Sequence, residues 1–303
     1  MNEVSRRQFL KMAAALALAM SWPGTALARM AGGLEELASG NAPLLWLQGQ
    51  ACSGCSISFL DSVYPDPATV LTKYVSLAFH PVISAATGDL AMATIQQVAS
   101  AGQEILVIEG AIPQAMPEAC RVGDQAFADL VATAARSAGK IVALGTCASF
   151  GGIPCAAPNP TGAVTVGQFL AGAGITTPVI NLPGCPAHPD WLVGTLLHLL
   201  GSVDLKLDDQ GRPELFYGSV IHARCPHYYE YEQEAFAQKF GDEGCMFKLG
   251  CLGIRTNADC PTRRWNGKTS WCVEAGAPCI GCARPEFVRD AGFPLFRIDE
   301  AAD

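Results

Sequence analysis

Three things are scarce in this 303-residue sequence, and each scarcity excludes something. Positive charge is the first. Twenty Lys and Arg stand against 28 Asp and Glu, a net of −8, which argues against a surface made to hold nucleic acid or another polyanion. Charge of either sign is the second: 16% of residues are charged and 50% are hydrophobic, so packed cores can form and wholesale disorder is excluded. Long apolar runs near the ends are the third. Met12–Met20 falls far short of the ~20 residues needed to span a bilayer, and Phe287–Asp303 is short and charged. The 31 Gly and 20 Pro follow no collagen period and point to many irregular loops. The length suggests about two domains of roughly 100–200 residues each.

Cysteine is what the chain has in excess. There are 13, clustered, and the odd number excludes a fully paired disulfide set within one chain.

The N-terminus reads as an address. Ser5-Arg6-Arg7-Gln8-Phe9-Leu10-Lys11 precedes the apolar stretch, and Ala26-Leu27-Ala28 follows as a small-residue cleavage site. This is the order of a signal peptide with adjacent arginines, expected over residues 1–28. Its removal leaves 17 basic against 27 acidic side chains, a net of −10. The twin-arginine route carries folded proteins, so cysteines that hold metal before export are protected from oxidation in the periplasm. The mature protein is expected to be soluble, or held to a membrane only through a partner.

From residue 43 to 200 short apolar runs alternate with helical patterns. Strands are expected at Leu44–Leu47, Val75–Phe79, Ile105–Ile108, Ile141–Leu144 and Pro178–Asn181, each closed by Gly, Pro or a polar turn. Helices are expected at Asp89–Ala101, Asp124–Ala138, Val164–Ala173 and Asp190–Leu200, three of them opening on an Asp suited to N-capping. The alternation implies an α/β fold with a doubly wound parallel sheet, flavodoxin-like.

Cys52 and Cys55 follow the first strand, Cys147 the fourth and Cys185 the fifth. All sit just beyond carboxyl ends of strands, where open α/β sheets put ligands. Alone, Cys52 and Cys55 also suit small buried turn residues or a thioredoxin-like redox pair. Four thiols at one edge suit a metal or iron–sulfur site. Glu109, ending the third strand, could relay protons, neighbour such a site, or be a satisfied loop carboxylate.

After Gly201 the rhythm stops. A polar linker, Asp204–Glu214, leads into about 90 residues with one plausible helix, Tyr229–Phe240. Little there predicts a core for a free-standing domain. The region 201–303 holds eight possible ligands: His222, Cys225, Cys245, Cys251, Cys260, Cys272, Cys279 and Cys282. Metal ligation can supply folding free energy where apolar burial is thin. A disulfide-stapled module is the alternative.

Five stretches, Leu47-Gln48-Gly49-Gln50-Ala51-Cys52-Ser53-Gly54-Cys55, Gly145-Thr146-Cys147-Ala148, Pro183-Gly184-Cys185-Pro186-Ala187-His188-Pro189, Ile221-His222-Ala223-Arg224-Cys225-Pro226 and Ala277-Pro278-Cys279-Ile280-Gly281-Cys282, in this order resemble the small, electron-transferring subunit of nickel–iron hydrogenases. The resemblance implies three iron–sulfur clusters: a proximal 4Fe–4S on Cys52, Cys55, Cys147 and Cys185, a distal 4Fe–4S on His222, Cys225, Cys245 and Cys251, and a medial one on Cys260, Cys279 and Cys282. Many family members have Pro where this chain has Cys272. Here the extra thiol resembles the nickel–iron–selenium subgroup and implies a medial 4Fe–4S, with 3Fe–4S the alternative. Neutral His222 in place of a thiolate leaves its cluster less negative and favours the reduced form. Oxygen-tolerant relatives add two cysteines around the proximal cluster. Cys120 stands where one would fall, but Gly54 occupies the other place, so an ordinary cluster is expected; Cys155 reads as a buried thiol.

The resemblance also implies that dihydrogen is split on a separate large subunit holding the nickel–iron or nickel–iron–selenium centre. The proximal edge, around Cys52, Cys55 and Glu109, is expected to be buried against that partner. A periplasmic c-type cytochrome docking near His222 is the expected electron partner, its association favoured by the negative charge. Two other readings stay open: an exported zinc- or disulfide-stabilised binding protein, and an iron–sulfur subunit of another respiratory dehydrogenase.

Overall fold

A computed structural model describes residues 42–201 and 203–288. The signal peptide and the last 15 residues lie outside the described residues.

The five expected strands form: β1 (Ala42–Gln48), β2 (Val75–Phe79), β3 (Ile105–Glu109), β4 (Lys140–Leu144) and β5 (Val179–Leu182). They lie in the order β2-β1-β3-β4-β5, every pair parallel, which is the flavodoxin-like order. Parallel strands buried on both faces need apolar side chains on both, and every residue from Ile105 to Glu109 is buried. One face, with Leu45, Leu47, Leu106 and Ile141, packs on helices α2 (Gly88–Ala101), α3 (Phe127–Ser137) and α5 (Val166–Gly172). The other face, with Leu44, Trp46, Val107 and Val142, packs on α1 (Gly54–Leu60) and α6 (Pro189–Leu200). A further short helix, α4 (Gly145–Phe150), follows β4 directly.

Several boundaries differ from the sequence reading. Asp124 caps no helix: residues 121–126 form a two-residue antiparallel pairing, Arg121↔Ala126 and Val122↔Gln125, and α3 opens only at Phe127. Asp89 and Asp190 sit inside first turns, where a negative charge still complements the helix dipole. The α5 helix is capped instead by Thr165, which forms a capping box with Gln168. The helix expected over Tyr229–Phe240 is a single turn, Tyr228–Glu232. Beyond it the amides of Ala237 and Cys245 bond to Cys245 and Ala235 carbonyls, at 3.0 and 2.9 Å, so the chain turns aside to bracket Cys245.

Among the described residues, the rest of the C-terminal region is short helical turns, Glu214–Tyr217, Ile221–Arg224, Met246–Leu249, Gly253–Arg255 and Cys260–Arg263, joined by loops. Its apolar side chains do not make a separate core. Phe216, Tyr217 and Trp271 are buried in the same cluster as Trp191, Leu196 and the sheet face. Polar ties add to this: Arg263 pairs with Asp259 at 2.6 Å and Asp190 at 3.2 Å, and Trp191 Nε1 donates to Asp259 at 2.8 Å. No helix among the described residues is long and apolar enough to cross a membrane.

Candidate metal centres

The carboxyl edge of the sheet brings Cys52, Cys55, Cys147 and Cys185 around one cavity of about 140 Å³. Cys52 and Cys55 come from the β1–α1 turn, Cys147 from the first turn of α4, and Cys185 from the turn between β5 and α6. Gly145, at φ 82°, is the residue that lets α4 start so close: a Cβ there would lie 2.5 Å from Cys55 Sγ. The Cys55 thiol is held well above its ordinary pKa, first by burial, then by the charges of Glu109, Cys147 and Cys185. Burial and Cys185 push Cys147 up to about 12. These sulfurs are close enough to oppose one another's ionisation, so loading the site with cations would release protons.

Glu109 behind the cavity is a satisfied carboxylate. It is 1% exposed and accepts from Trp46 Nε1 at 3.2 Å, Ser56 Oγ at 2.5 Å, and the backbone amides of Cys55 and Ser56 at 3.1 and 3.3 Å. Ser53, the residue before α1, is left-handed at φ 62° and makes no capping bond with its side chain. Glu109 therefore caps α1 from another strand. Neither α1 nor this cap was legible in the sequence; a buried carboxylate ending a parallel strand was the available signal. His80, also buried, stands 3.3 Å from Ser56 Oγ, and burial lowers its pKa to about 4.

A second group, His222, Cys225, Cys245 and Cys251, lines a cavity of about 20 Å³ walled by Ile221, Met246, Phe247 and Trp271. The His222 ring is held by Tyr231 and Tyr228, at centroid distances of 4.5 and 5.1 Å, and its Nε2 is buried with no hydrogen-bond partner. Burial first, then Cys251 and Cys245 among other charges, pushes Cys225 up to about 11.

The third group lies between them. Cys260 is pushed well above its ordinary value by burial and then by Cys282, Cys279, Asp259 and Cys272, so the fourth thiol, Cys272, belongs to this neighbourhood. Burial likewise pushes Cys282 up to about 12, offset in part by the nearby Cys185 backbone. The Cys279 amide donates to Cys251 Sγ at 3.3 Å. A backbone amide of the medial group thus reaches a sulfur of the distal one, and at the other junction the Thr146 hydroxyl, beside Cys147, donates to the Cys282 carbonyl.

None of the 13 cysteines is disulfide-bonded in the structure, which leaves the disulfide-stapled alternative without a bond. Among the described residues no three His, Cys, Asp or Glu side chains close on a point that one metal ion could occupy, as a tetrahedral zinc site requires. Donors that each bind a different iron must instead frame a cavity, and the soft thiol sets, the cavity beside Cys55 and the orphaned His222 nitrogen fit iron–sulfur clusters. Cys120 is not at the proximal cavity, contrary to the sequence reading. It packs against the α2–α3 face of the sheet. The positions beside Cys147 are Gly152, whose Cβ would lie 3.1 Å from its sulfur, and Cys155, whose thiol donates to the Ala163 carbonyl at 3.0 Å.

Comparison with known proteins gives the same picture. The C-terminal family of the NiFe/NiFeSe hydrogenase small subunit matches residues 217–294, the NADH ubiquinone oxidoreductase 20 Kd subunit family matches 52–199, and the TAT pathway signal sequence matches 3–21. The periplasmic [NiFeSe] hydrogenase small subunit of Desulfomicrobium baculatum is 40% identical over 94% of this chain and 96% of its own. Hydrogenase-2 small chain of Escherichia coli K12 is 35% identical over 92% and 76%. The structure of the H2-activated D. baculatum [NiFeSe] hydrogenase superposes with a TM-score of 0.81 at 41% identity, covering 86% of this chain and 99% of that one. The NiFe-hydrogenase of Ralstonia eutropha H16 gives 0.78 at 29%, covering 86% and 83%. Small subunits of this kind carry iron–sulfur clusters, and the export signal sends them to the periplasm. With its order of motifs, its sheet and nearly its whole length accounted for, the chain belongs to the small, electron-transferring subunits of the periplasmic NiFe/NiFeSe hydrogenases.

Proposed function

We propose that the chain relays electrons through three 4Fe–4S clusters between a hydrogen-activating large subunit and an external carrier. Cys52, Cys55, Cys147 and Cys185 would hold the proximal cluster, Cys260, Cys272, Cys279 and Cys282 the medial, and His222, Cys225, Cys245 and Cys251 the distal. When bound, the clusters supply one-electron oxidation and reduction with little ligand movement. The single observation that carries the reading is the grouping of twelve donors into three neighbourhoods, the medial and distal joined by an amide–sulfur hydrogen bond and the proximal and medial by the Thr146 hydroxyl.

The protein's part is to position and to exclude water. Burial of Cys260 and Cys279 shields the middle of the relay. The same reading divides the mature chain into a flavodoxin-like domain over 43–200 and a ligand-rich region over 201–303, docked through one core. The proximal edge suits a large subunit that holds the nickel–iron or nickel–iron–selenium centre: Ile57, Val63 and Val82 are exposed there at 58, 67 and 48%, an apolar surface of the kind interfaces bury. Glu109 would face that partner only from beneath α1, since it is already enclosed by this chain. Around His222 the surface carries exposed Tyr228 and Tyr229 with Glu230 and Glu232 close by in sequence, and the net charge of −10 after cleavage suits a basic c-type cytochrome.

Iron and sulfide analysis with EPR on the purified heterodimer tests the reading. About twelve irons per small subunit are expected, with no 3Fe–4S signal in the oxidised enzyme. A stoichiometric 3Fe–4S signal would remove Cys272 from the ligand set. Zinc, or iron-free paired thiols, would overturn the relay altogether.

A further inference from the structure

We propose that the indole N–H of Trp271 donates a hydrogen bond to the distal cluster and holds that cluster's reduction potential up. The inference rests on the assignment of His222, Cys225, Cys245 and Cys251 as that cluster's ligands.

Trp271 is 2% exposed and stands in the wall of the cavity that these four residues line. Its Nε1 is buried and has no acceptor among the described residues. Other buried indoles here do have acceptors: Trp46 donates to Glu109 at 3.2 Å and Trp191 to Asp259 at 2.8 Å. A buried indole donor normally finds a partner. Besides the four ligands the cavity wall is mostly apolar, with Ile221, Met246, Phe247 and Val273; its polar side chains, His227 and Tyr231, do not accept from Nε1, which leaves a cluster or cysteine sulfur as the acceptor within the cavity.

The consequence follows from charge. Adding an electron makes a cluster more negative, and a hydrogen bond to its sulfur is stronger in the reduced form, so the donor raises the potential. Trp271 then acts in the same direction as the neutral ligand His222. Both collect the electron at the exit end of the relay. Trp271 also immediately precedes Cys272, so one short segment presents a thiol to the medial site and an indole to the distal one.

The test is Trp271→Phe in the heterodimer, read by EPR-monitored redox titration. The distal cluster is recognised by the nitrogen coupling of His222. The expected result is a distal midpoint moved negative, with the reduced-to-oxidised ratio at fixed potential falling roughly tenfold, ~59 mV for a one-electron couple. Proximal and medial midpoints stay in place, and the iron content is unchanged. A distal midpoint equal to wild type, with full iron, overturns the inference and leaves the ligand assignment standing. A wild-type enzyme with no histidine-coupled cluster overturns the assignment itself. If the variant does not assemble, wild-type enzyme carrying 15N-indole tryptophan decides. Trp271 is the one tryptophan lining this cavity among the described residues, so a 15N coupling on the distal signal supports the bond and its absence refutes it.

Discussion

Removing the Glu109 carboxylate should unfasten α1 while leaving the sheet intact. The carboxylate takes four donors, from Trp46, Cys55 and twice from Ser56, and no cation faces it among its hydrogen-bond partners. Hydrogen bonds to a charged group contribute about 1.5–3 kcal/mol each, and a buried donor left without a partner costs about 1–3 kcal/mol. The four share one acceptor and do not add, so Glu109→Ala should raise the free energy of the α1 start by about 3–4 kcal/mol. Glu109→Gln keeps an oxygen for the two amides but turns an NH2 toward Trp46 or the Ser56 hydroxyl, a loss of about 1–2 kcal/mol. Each 1.4 kcal/mol is a tenfold change in an equilibrium constant. Hydrogen exchange by mass spectrometry on the anaerobic heterodimer should therefore show the 52–60 segment exchanging roughly tenfold faster in Glu109→Gln and more than a hundredfold faster in Glu109→Ala, with β4 unchanged. Exchange of 52–60 at the wild-type rate in the alanine variant, or the same acceleration in β4, would refute the capping role.

Two further outcomes follow from buried polar groups. Thr146, 1% exposed, accepts from the Gly184 amide at 2.9 Å and donates to the Cys282 carbonyl; Thr146→Val should cost about 1–3 kcal/mol and lower the Tm of the heterodimer, while Thr146→Ser should largely restore it. His80, at about 4 when folded against an ordinary 6.5, stays neutral in the native protein while the unfolded chain takes up a proton between those values, so stability should fall as pH drops from 6.5 to 4. The pH-dependent part of acid unfolding over that window should be smaller in His80→Gln, and an identical pH profile would refute it.

The sheet was legible because parallel strands buried on both faces are continuous apolar runs, and Ile105–Ile108 or Ile141–Leu144 can hardly be anything else. The proximal group was legible for a related reason: a cysteine one turn past a strand end is placed by the topology, whatever the side chains around it do. Helix starts were less legible. Asp at the head of an apolar pattern suits a cap, yet Asp124 lies in a tight pairing fixed by Val122 and Gln125, because the backbone found hydrogen bonds earlier than the helix did. The start of α1 was not legible at all, since its cap is supplied by Glu109, more than fifty residues away. The Tyr229–Phe240 pattern failed because the Cys245 backbone competes for Ala235 and Ala237.

That competition explains why the ligand-rich half is irregular. In a strand or helix interior the amides are committed to carbonyls, and none is free for a sulfur. A relay needs the opposite: donors near each sulfur, to stabilise added charge, and short covalent or hydrogen-bonded spans between successive sites. The loops here supply both. The Cys279 amide reaches Cys251 Sγ at 3.3 Å, and the Gly281 amide reaches Cys279 Sγ at 3.4 Å. Each such amide is lost to regular structure, and the region keeps its shape by docking Phe216, Tyr217 and Trp271 onto the sheet's core; bound metal would add folding free energy there. A C-terminal half richer in helix would be more stable without iron and a poorer conductor with it.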